Sequence, residues 1–431
     1  MKTLDTITGL RSGEIDLLDH MQEVCDRIES LDPKIHALVE GTFDRKRVLK
    51  EASLLKERYP DPDSRPPLFG VSMGVKDIFR VWSFPTRCGS NLPPELFHGV
   101  EATCVSKLKS AGAIVIGKTV TTEFAYFEPG PTRNPYDPEH TPGGSSSGSA
   151  AGVAMDFFLL ALGTQTVGSV IRPASFCGVI GFKPSFGRIS LAGVIPFSKS
   201  ADHAGMFCKD LSGIEPFMSI LAEDWRSIDE KALNQNPVFA VPEGPYLDQA
   251  TDHGRRCFEK RVQDLLNAGL EVIRINALAN INTINENHNR LIAGEMARVH
   301  SFWYRQYEAL YRPRTTEIIR KGMTVSEDEL KRLSESRIKF RNQLERLMDS
   351  EGIDYWICPS ATDHPPRGLE TTGDPIMNLP WTHAGLPVLS IPSGLDDAGL
   401  PQGIQIIGRF GKDEELSHHC LCIFGQEVIQ I

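Results

Sequence analysis

Two serines stand 24 positions apart in glycine-rich surroundings, Ser145 in Thr141 to Ser149 (TPGGSSSGS) and Ser169 in Gly163 to Gly178 (GTQTVGSVIRPASFCG), with Lys76 upstream in GVSMGVKDIF. Glycine lets the backbone take positive φ and bring N–H groups up to a reacting carbonyl, where a Cβ would obstruct it. Two such serines and a lysine are the parts needed to break an amide. A serine hydroxyl is a poor nucleophile at neutral pH unless a base removes its proton during attack, and lysine can be that base only when neutral. Lowering a lysine pKa from about 10.4 to about 7 or 8 takes roughly 3 to 4 kcal/mol, which burial supplies by disfavouring the charged form. Val71, Met73, Val75, Ile78 and Phe79 give Lys76 an apolar setting. Asp77 would oppose the shift if it pointed inward, but strand alternation turns it the other way. Read alone, Lys76 is more readily a surface lysine or half of a structural ion pair.

These segments resemble the amidase signature family, whose hallmark is a Ser-Ser-Lys triad in place of Ser-His-Asp. The family's lysine sits in G-V-K-D, its bridging serine opens the serine run of P-G-G-S-S, and its nucleophile lies in G-T-D-T-G-G-S-I-R-x-P-A. Matched residue by residue, these are Lys76, Ser145 and Ser169. Agreement continues in Ala111 to Thr119 (AGAIVIGKT), Glu123-Phe124-Ala125, Asn134-Pro135, Phe176 to Pro184 (FCGVIGFKP), Gly385 to Pro392 (GLPVLSIP) and Gly403 to Gly408 (GIQIIG), so that it spans the chain from about residue 65 to residue 410. The resemblance implies Ser169 as nucleophile, Ser145 as the relay that passes its proton to Lys76 and later to the leaving amine, and the backbone N–H groups of Thr166, Val167, Gly168 and Ser169 as the oxyanion hole. No cofactor is implied. The chain departs from the pattern at Gln165, where the family has Asp, at Val167, where it has Gly, and at Arg172, displaced by one position. Ser146 is expected to support Ser145; Ser147 stands where the family usually has glycine.

The elements that must hold these residues read as α/β. Ile15, Leu18, Met21, Cys25 and Ile28 share one face of a 3.6-residue repeat, which predicts an amphipathic helix over residues 12 to 31. An apolar run from Pro67 to Val75 leads into Lys76, and Thr103 to Lys118 reads as a helix followed by a strand of β-branched residues, as in a sheet covered on both faces. The Pro, Gly and Ser content of residues 134 to 149 is ordinarily that of a linker. Here it passes directly into Ala150 to Leu162, small, apolar and suited to a buried helix. Residues 210 to 310 carry the weakest family signal and are expected to form a helical layer that sets substrate choice, although an ordinary amphipathic helix is the plainer reading of Asn285 to Trp303. Ser326 with Glu329 reads as a capping box that opens a long helix ending at Ser350, with strands at Tyr355 to Cys358, Pro387 to Pro392 and Gly403 to Ile407. No linker divides the chain. Residues 1 to 431 are therefore expected to form a single large α/β domain, with a mixed, mostly buried twisted sheet flanked by helices on both faces, the fold that the resemblance implies.

A formal charge of −10 argues against a nucleic-acid surface. The basic residues of Arg332 to Arg346 alternate with Glu335 and Glu345, as on a solvated helix face. The nine cysteines form no C-x-x-C pair and no grouping with histidine at zinc spacing, so no metal is expected and a reducing compartment is. Met1 to Leu10 lacks the apolar run of a secretory signal, and Ala150 to Leu162 is too short to span a bilayer and holds Asp156. The expectation is a cytoplasmic protein with no membrane or nucleic-acid partner, acting on a small amide, with a homodimer left open. None of the twelve histidines is required; His383, in PWTHAGLP, lies nearest a segment bordering the site. The absence of a G-x-S-x-G elbow disfavours a Ser-His-Asp hydrolase.

The leading expectation is an amidohydrolase that converts a carboxamide to carboxylate and ammonia through an acyl-enzyme on Ser169. One alternative is the glutamine-hydrolysing catalytic subunit of a tRNA-dependent amidotransferase, for which a longer extension after Gly408 is expected. Another is a catalytically silent binding protein on the same fold, against which retention of all three triad positions argues. Aliphatic, aryl and urea-derived amides are all compatible with the sequence.

Overall fold

The apolar, β-branched runs of the sequence become strands of one sheet. In the computed structural model, which describes residues 1–229, 233, 234 and 236–425, the strands are β1 (Ser72–Lys76), β2 (Ile114–Thr119), β3 (Leu160–Gln165), β4 (Ile180–Lys183), β5 (His203–Cys208), β6 (Val238–Glu243), β7 (Glu271–Asn276), β8 (Tyr355–Pro359), β9 (Val388–Leu395) and β10 (Pro401–Ile407). Their order is β2-β1-β3-β5-β4-β9-β10-β8-β6-β7. Both ends are parallel, β1 with β2 and β3, and β6 with β7 and β8; the middle is antiparallel. Strands β1 to β5 and β8 are buried along their whole length, as a sheet covered on both faces requires. The fold is the expected mixed α/β sheet with helical flanks.

Several boundaries differ from the sequence reading for identifiable reasons. The N-terminal helix runs Leu17–Ile35, starting where Asp16 accepts hydrogen bonds from the N–H groups of Leu18 and Asp19, and a separate helix, Thr3–Ser12, precedes it. Ala150 to Leu162 is not one helix. The helix Ser147–Ala154 stops, the chain turns at Asp156 with φ 55°, and β3 begins at Leu160. Small apolar residues suit a buried helix and a buried strand equally well, so composition alone could not separate the two. The span from 210 to 310 is not purely helical either, since it supplies β6 and β7 to one end of the sheet. On the long helix Glu327–Glu351, Ser326 accepts from the Glu329 N–H, but the Glu329 carboxylate pairs with Arg290 at 2.8 Å instead of returning to the cap. That helix is not solvated on all its basic positions: Arg337 is buried, its Nε donating to the His383 carbonyl at 3.0 Å. Among the described residues no helix is long and apolar enough to cross a membrane.

Candidate active site

Because β1 and β3 run parallel, their C-terminal ends open on the same edge of the sheet. Lys76 is the last residue of β1 and is fully buried. Its Nζ lies 2.7 Å from Ser145 Oγ, 3.0 Å from Ser146 Oγ and 2.9 Å from Thr164 Oγ1. Burial drives its pKa well below the ordinary lysine value, opposed only by the distant negative charge of Asp202. A neutral amine here presents its lone pair to hydroxyl groups. Asp77 does point away, as strand alternation requires, and pairs with the buried Lys118 ammonium at 2.7 Å. The structural ion pair that Lys76, read alone, suggests belongs to Lys118.

The Ser145 segment is built, not a linker. Gly143 takes φ 81°, and a Cβ on Gly148 would lie 2.1 Å from the Ala37 carbonyl oxygen. Arg172, displaced in sequence, reaches back to this loop: its Nη2 donates to Gly144 O at 2.7 Å and to Thr372 Oγ1 at 3.0 Å. It clamps the peptide immediately before Ser145. Ser146 Oγ donates to Thr164 O at 3.2 Å and also touches Lys76, so it supports Lys76 more than Ser145. Ser147 Oγ donates to Val120 O at 3.2 Å, away from Ser145.

Ser169 follows β3, just ahead of the short helix Ile171–Phe176. Its hydroxyl makes no hydrogen bond among the described residues, so Lys76 and Ser145 are joined directly while Ser169 is held apart from them in this state. The loop that carries it is anchored through its carbonyl groups. Thr382 Oγ1 donates to Val167 O at 2.7 Å, and His288 Nε2 donates to Thr166 O at 2.9 Å. Among the described residues nothing occupies the N–H groups of Val167, Gly168 or Ser169. Gly168 is obligatory, because a Cβ would lie 2.3 Å from Asn378 Oδ1. The Thr166 hydroxyl donates to Asp202 at 2.6 Å, and burial raises the pKa of that carboxyl to about 6.

The substitution of Gln165 for Asp has a local explanation. Its Oε1 accepts from the N–H groups of Val170 and Ile171 at 2.8 and 2.9 Å, and its Nε2 donates to Thr382 at 2.9 Å. A neutral amide thus pins both ends of the Ser169 turn, and the apolar Ile171 stands where the family pattern has arginine. The bulk of Val167 is absorbed by burial, and its N–H stays unengaged.

His383 does not line the site but stands behind it. Its Nδ1 is 3.2 Å from His288 Nδ1. Since His288 Nε2 faces a carbonyl it must carry hydrogen, which leaves Nδ1 as acceptor and makes His383 the donor. Burial holds both imidazoles neutral, His288 with a pKa near 3 and His383 well below its usual range. His288, Thr382, Thr164 and Asp202 were missed in the sequence. His288 lies within Asn285 to Trp303, which the fold divides between the helix Ile281–Val299 and its successor, and makes the one hydrogen bond between that stretch and the Ser169 loop among the described residues.

The Amidase family model matches residues 19–417 of the chain. Among curated proteins, the chain is 29% identical over 455 residues to a subunit of the glutamyl-tRNA(Gln) amidotransferase of Synechococcus sp. (strain WH7803), covering 93% of this chain and 92% of that protein. It is 30% identical to the corresponding protein of Exiguobacterium sp. (strain ATCC BAA-1283 / AT1b), over 95% of this chain and 94% of that one. Among solved structures, a crystal structure of an amidase superposes with a TM-score of 0.87 at 31% identity, covering 97% of this chain and 98% of the other. The native peptide amidase of Stenotrophomonas maltophilia shares the fold, with a TM-score of 0.82 at 24% identity over 99% of this chain and 96% of its own.

Proposed function

Because the chain belongs to the amidase family, whose members act on amide C–N bonds, we propose that it hydrolyses a small carboxamide through an acyl-enzyme on Ser169, with Ser145 as relay and Lys76 as base. The observation that carries this reading is the fully buried Lys76 amine, 2.7 Å from Ser145 Oγ, with hydroxyl groups and no carboxylate in contact. As Ser169 Oγ attacks the amide carbon, its proton passes to Ser145 and the Ser145 proton to Lys76 Nζ. The contact between the two serines forms when substrate is bound, since catalytic hydrogen bonds are often long in unliganded enzymes. The N–H groups of the segment from Thr166 to Ser169 receive the oxyanion, each donor stabilising the transition state by about 2.7 to 4 kcal/mol. Collapse breaks the C–N bond, and the amine leaves with the proton that Lys76 returns through Ser145. Water repeats the sequence on the ester, releasing carboxylate and free Ser169. Ammonia release across aliphatic, aryl and urea-derived amides tests the reading, together with hydroxamate formation in hydroxylamine; a Ser169→Ala variant with full activity would overturn it.

A second reading, a glutamine-hydrolysing subunit of a tRNA-dependent amidotransferase, is favoured by the curated relatives named above. The alignments cover 92% and 94% of those relatives' lengths. Glutamine as the preferred member of the panel, with a partner protein that copurifies and raises turnover, would favour it over the free amidase.

A further inference from the structure

Away from the serines, three chain segments converge on a cluster that sequence spacing conceals. His253 opens the helix Asp252–Asn267, Asp363 and His364 follow β8, and Asp396 begins the turn between β9 and β10. His253, Asp363 and His364 each place one donor atom within 4.8 Å of the others, and all three are half-buried. The two imidazole rings are 5.1 Å apart.

Second contacts give the cluster its orientation. His364 Nδ1 lies 2.6 Å from Asp396 Oδ2, and the other oxygen of Asp396 accepts from the N–H groups of Ala398 and Leu400, both at 2.9 Å. The Asp396 side chain is only 1% exposed, so its turn fixes it and it fixes the ring. Asp363 in turn accepts from His253 Nδ1 and from Thr251 Oγ1, each at 2.6 Å. Asp396 on Nδ1 of His364 leaves the Nε2 of that ring with its lone pair, which is how metal-binding histidines are oriented. Two imidazoles and one carboxylate suit Zn(II) or Co(II) and suit Mg(II) or Ca(II) poorly.

We propose that His253, Asp363 and His364 form a binding site for a divalent transition-metal cation, with Asp396 as the positioning residue for His364. Ligand bonds of about 2.0 to 2.2 Å require the three donors to draw in by about an ångström, within the rotamer freedom of half-buried side chains. The cation would tie the start of the helix Asp252–Asn267 to the loop after β8 and, through Asp396, to the β9–β10 turn. Cys257 Sγ, 3.7 Å from His253 Nε2, lies beside the donor set and is not required by it.

The test uses the full chain, stripped with chelator and titrated with Zn(II) by calorimetry and with Co(II) by visible absorption. One equivalent should bind saturably, with a d–d spectrum of low coordination number. His253→Gln and His364→Gln should each weaken binding at least tenfold, Asp396→Asn should weaken it by about 10- to 100-fold, and Cys257→Ser should leave it unchanged. All four variants should keep amide hydrolysis, since none touches the Lys76 network. Absence of saturable binding to the wild-type chain, stoichiometric binding that survives the double change His253→Gln/His364→Gln, or loss in Cys257→Ser would each overturn the proposal. If a histidine variant fails to fold, the wild-type titration and Asp396→Asn still decide it.

Discussion

At the scale of single residues, the chemistry turns on which partner holds the charge. Lys76 and Lys118 occupy adjacent strands and are equally buried, yet one contacts only hydroxyl and carbonyl groups while the other contacts a carboxylate. Desolvation with no compensating anion favours the neutral amine of Lys76, and protonation below its depressed pKa removes the lone pair that the proposed base needs. Activity should therefore rise with pH through one ionisation below the ordinary lysine range and fall away on the acid side, as initial rates across pH would record. Lys76→Arg should lose at least about 10²-fold in kcat, because guanidinium stays protonated; a variant retaining a tenth of wild-type turnover would assign the base elsewhere. Ser145→Ala should cost less than Ser169→Ala, since water can enter a relay position but cannot replace the nucleophile. Ser145→Ala combined with Lys76→Ala should be scarcely slower than Lys76→Ala alone, because residues that act as a unit lose their effects together; multiplying losses would put Ser145 outside the proton path. The three candidate triad positions stand out in the sequence through the family resemblance more than through their glycine-rich and apolar neighbours, since Lys76 read alone is more readily a surface lysine or half of an ion pair. Asp202 and Thr382 were not legible, since each acts through a contact made only by the fold.

At the scale of elements, the Ser169 turn is held by its carbonyls so that its N–H groups stay unused, and its anchors come from remote segments. His288→Ala would leave Thr166 O and the His383 Nδ1–H unpaired in a buried setting, at about 1 to 3 kcal/mol. The expected result is a lower urea midpoint together with a drop in kcat that exceeds any change in KM, because the anchor sets the donors and not the substrate pocket. A purely structural histidine would lower stability and leave kcat of the folded fraction unchanged. Gly168→Ala should be more severe for turnover, as its Cβ would overlap Asn378 Oδ1 at 2.3 Å, and pairing it with Asn378→Ala should recover part of the loss. Such anchors explain where the sequence reading thinned out. Strands β1, β2, β8, β9 and β10 could be read from runs of β-branched and apolar residues, whereas β3 lay hidden in Ala150 to Leu162, whose apolar character fits a helix as well as a strand. The strands β6 and β7 lay in the span from 210 to 310, where helical patterns dominate and β7 is an edge strand of alternating exposure.

At the scale of the whole molecule, the same burial that tunes the site makes the fold sensitive to acid. His288 and His300 are fully buried with pKa values driven by desolvation to about 3, and His203 and His383 are pushed in the same direction. A depressed folded-state pKa means that the unfolded chain binds more protons between about pH 3 and 6.5, so stability present above the unfolded value is lost as pH falls through that window. Between pH 7 and 5, His288 and His300 each contribute a loss of about 2 kcal/mol. Asp202 acts oppositely: its raised pKa, about 6, means that protonation on acidification relieves a burial penalty, returning about 1 kcal/mol over the same range. The histidines win, against a total stability of about 5 to 15 kcal/mol for a folded protein. Urea unfolding should therefore show a free energy lower by several kcal/mol at pH 5 than at pH 7. His300→Asn, far from Lys76 in the network and hydrogen-bonded through its ring to Tyr311, should flatten that dependence by about 2 kcal/mol while leaving the pH profile of initial rates intact. A variant that shifted both curves together would mean that the acid limb of activity reports unfolding, and the protonation of Lys76 would then have to be followed by a direct titration of its amine.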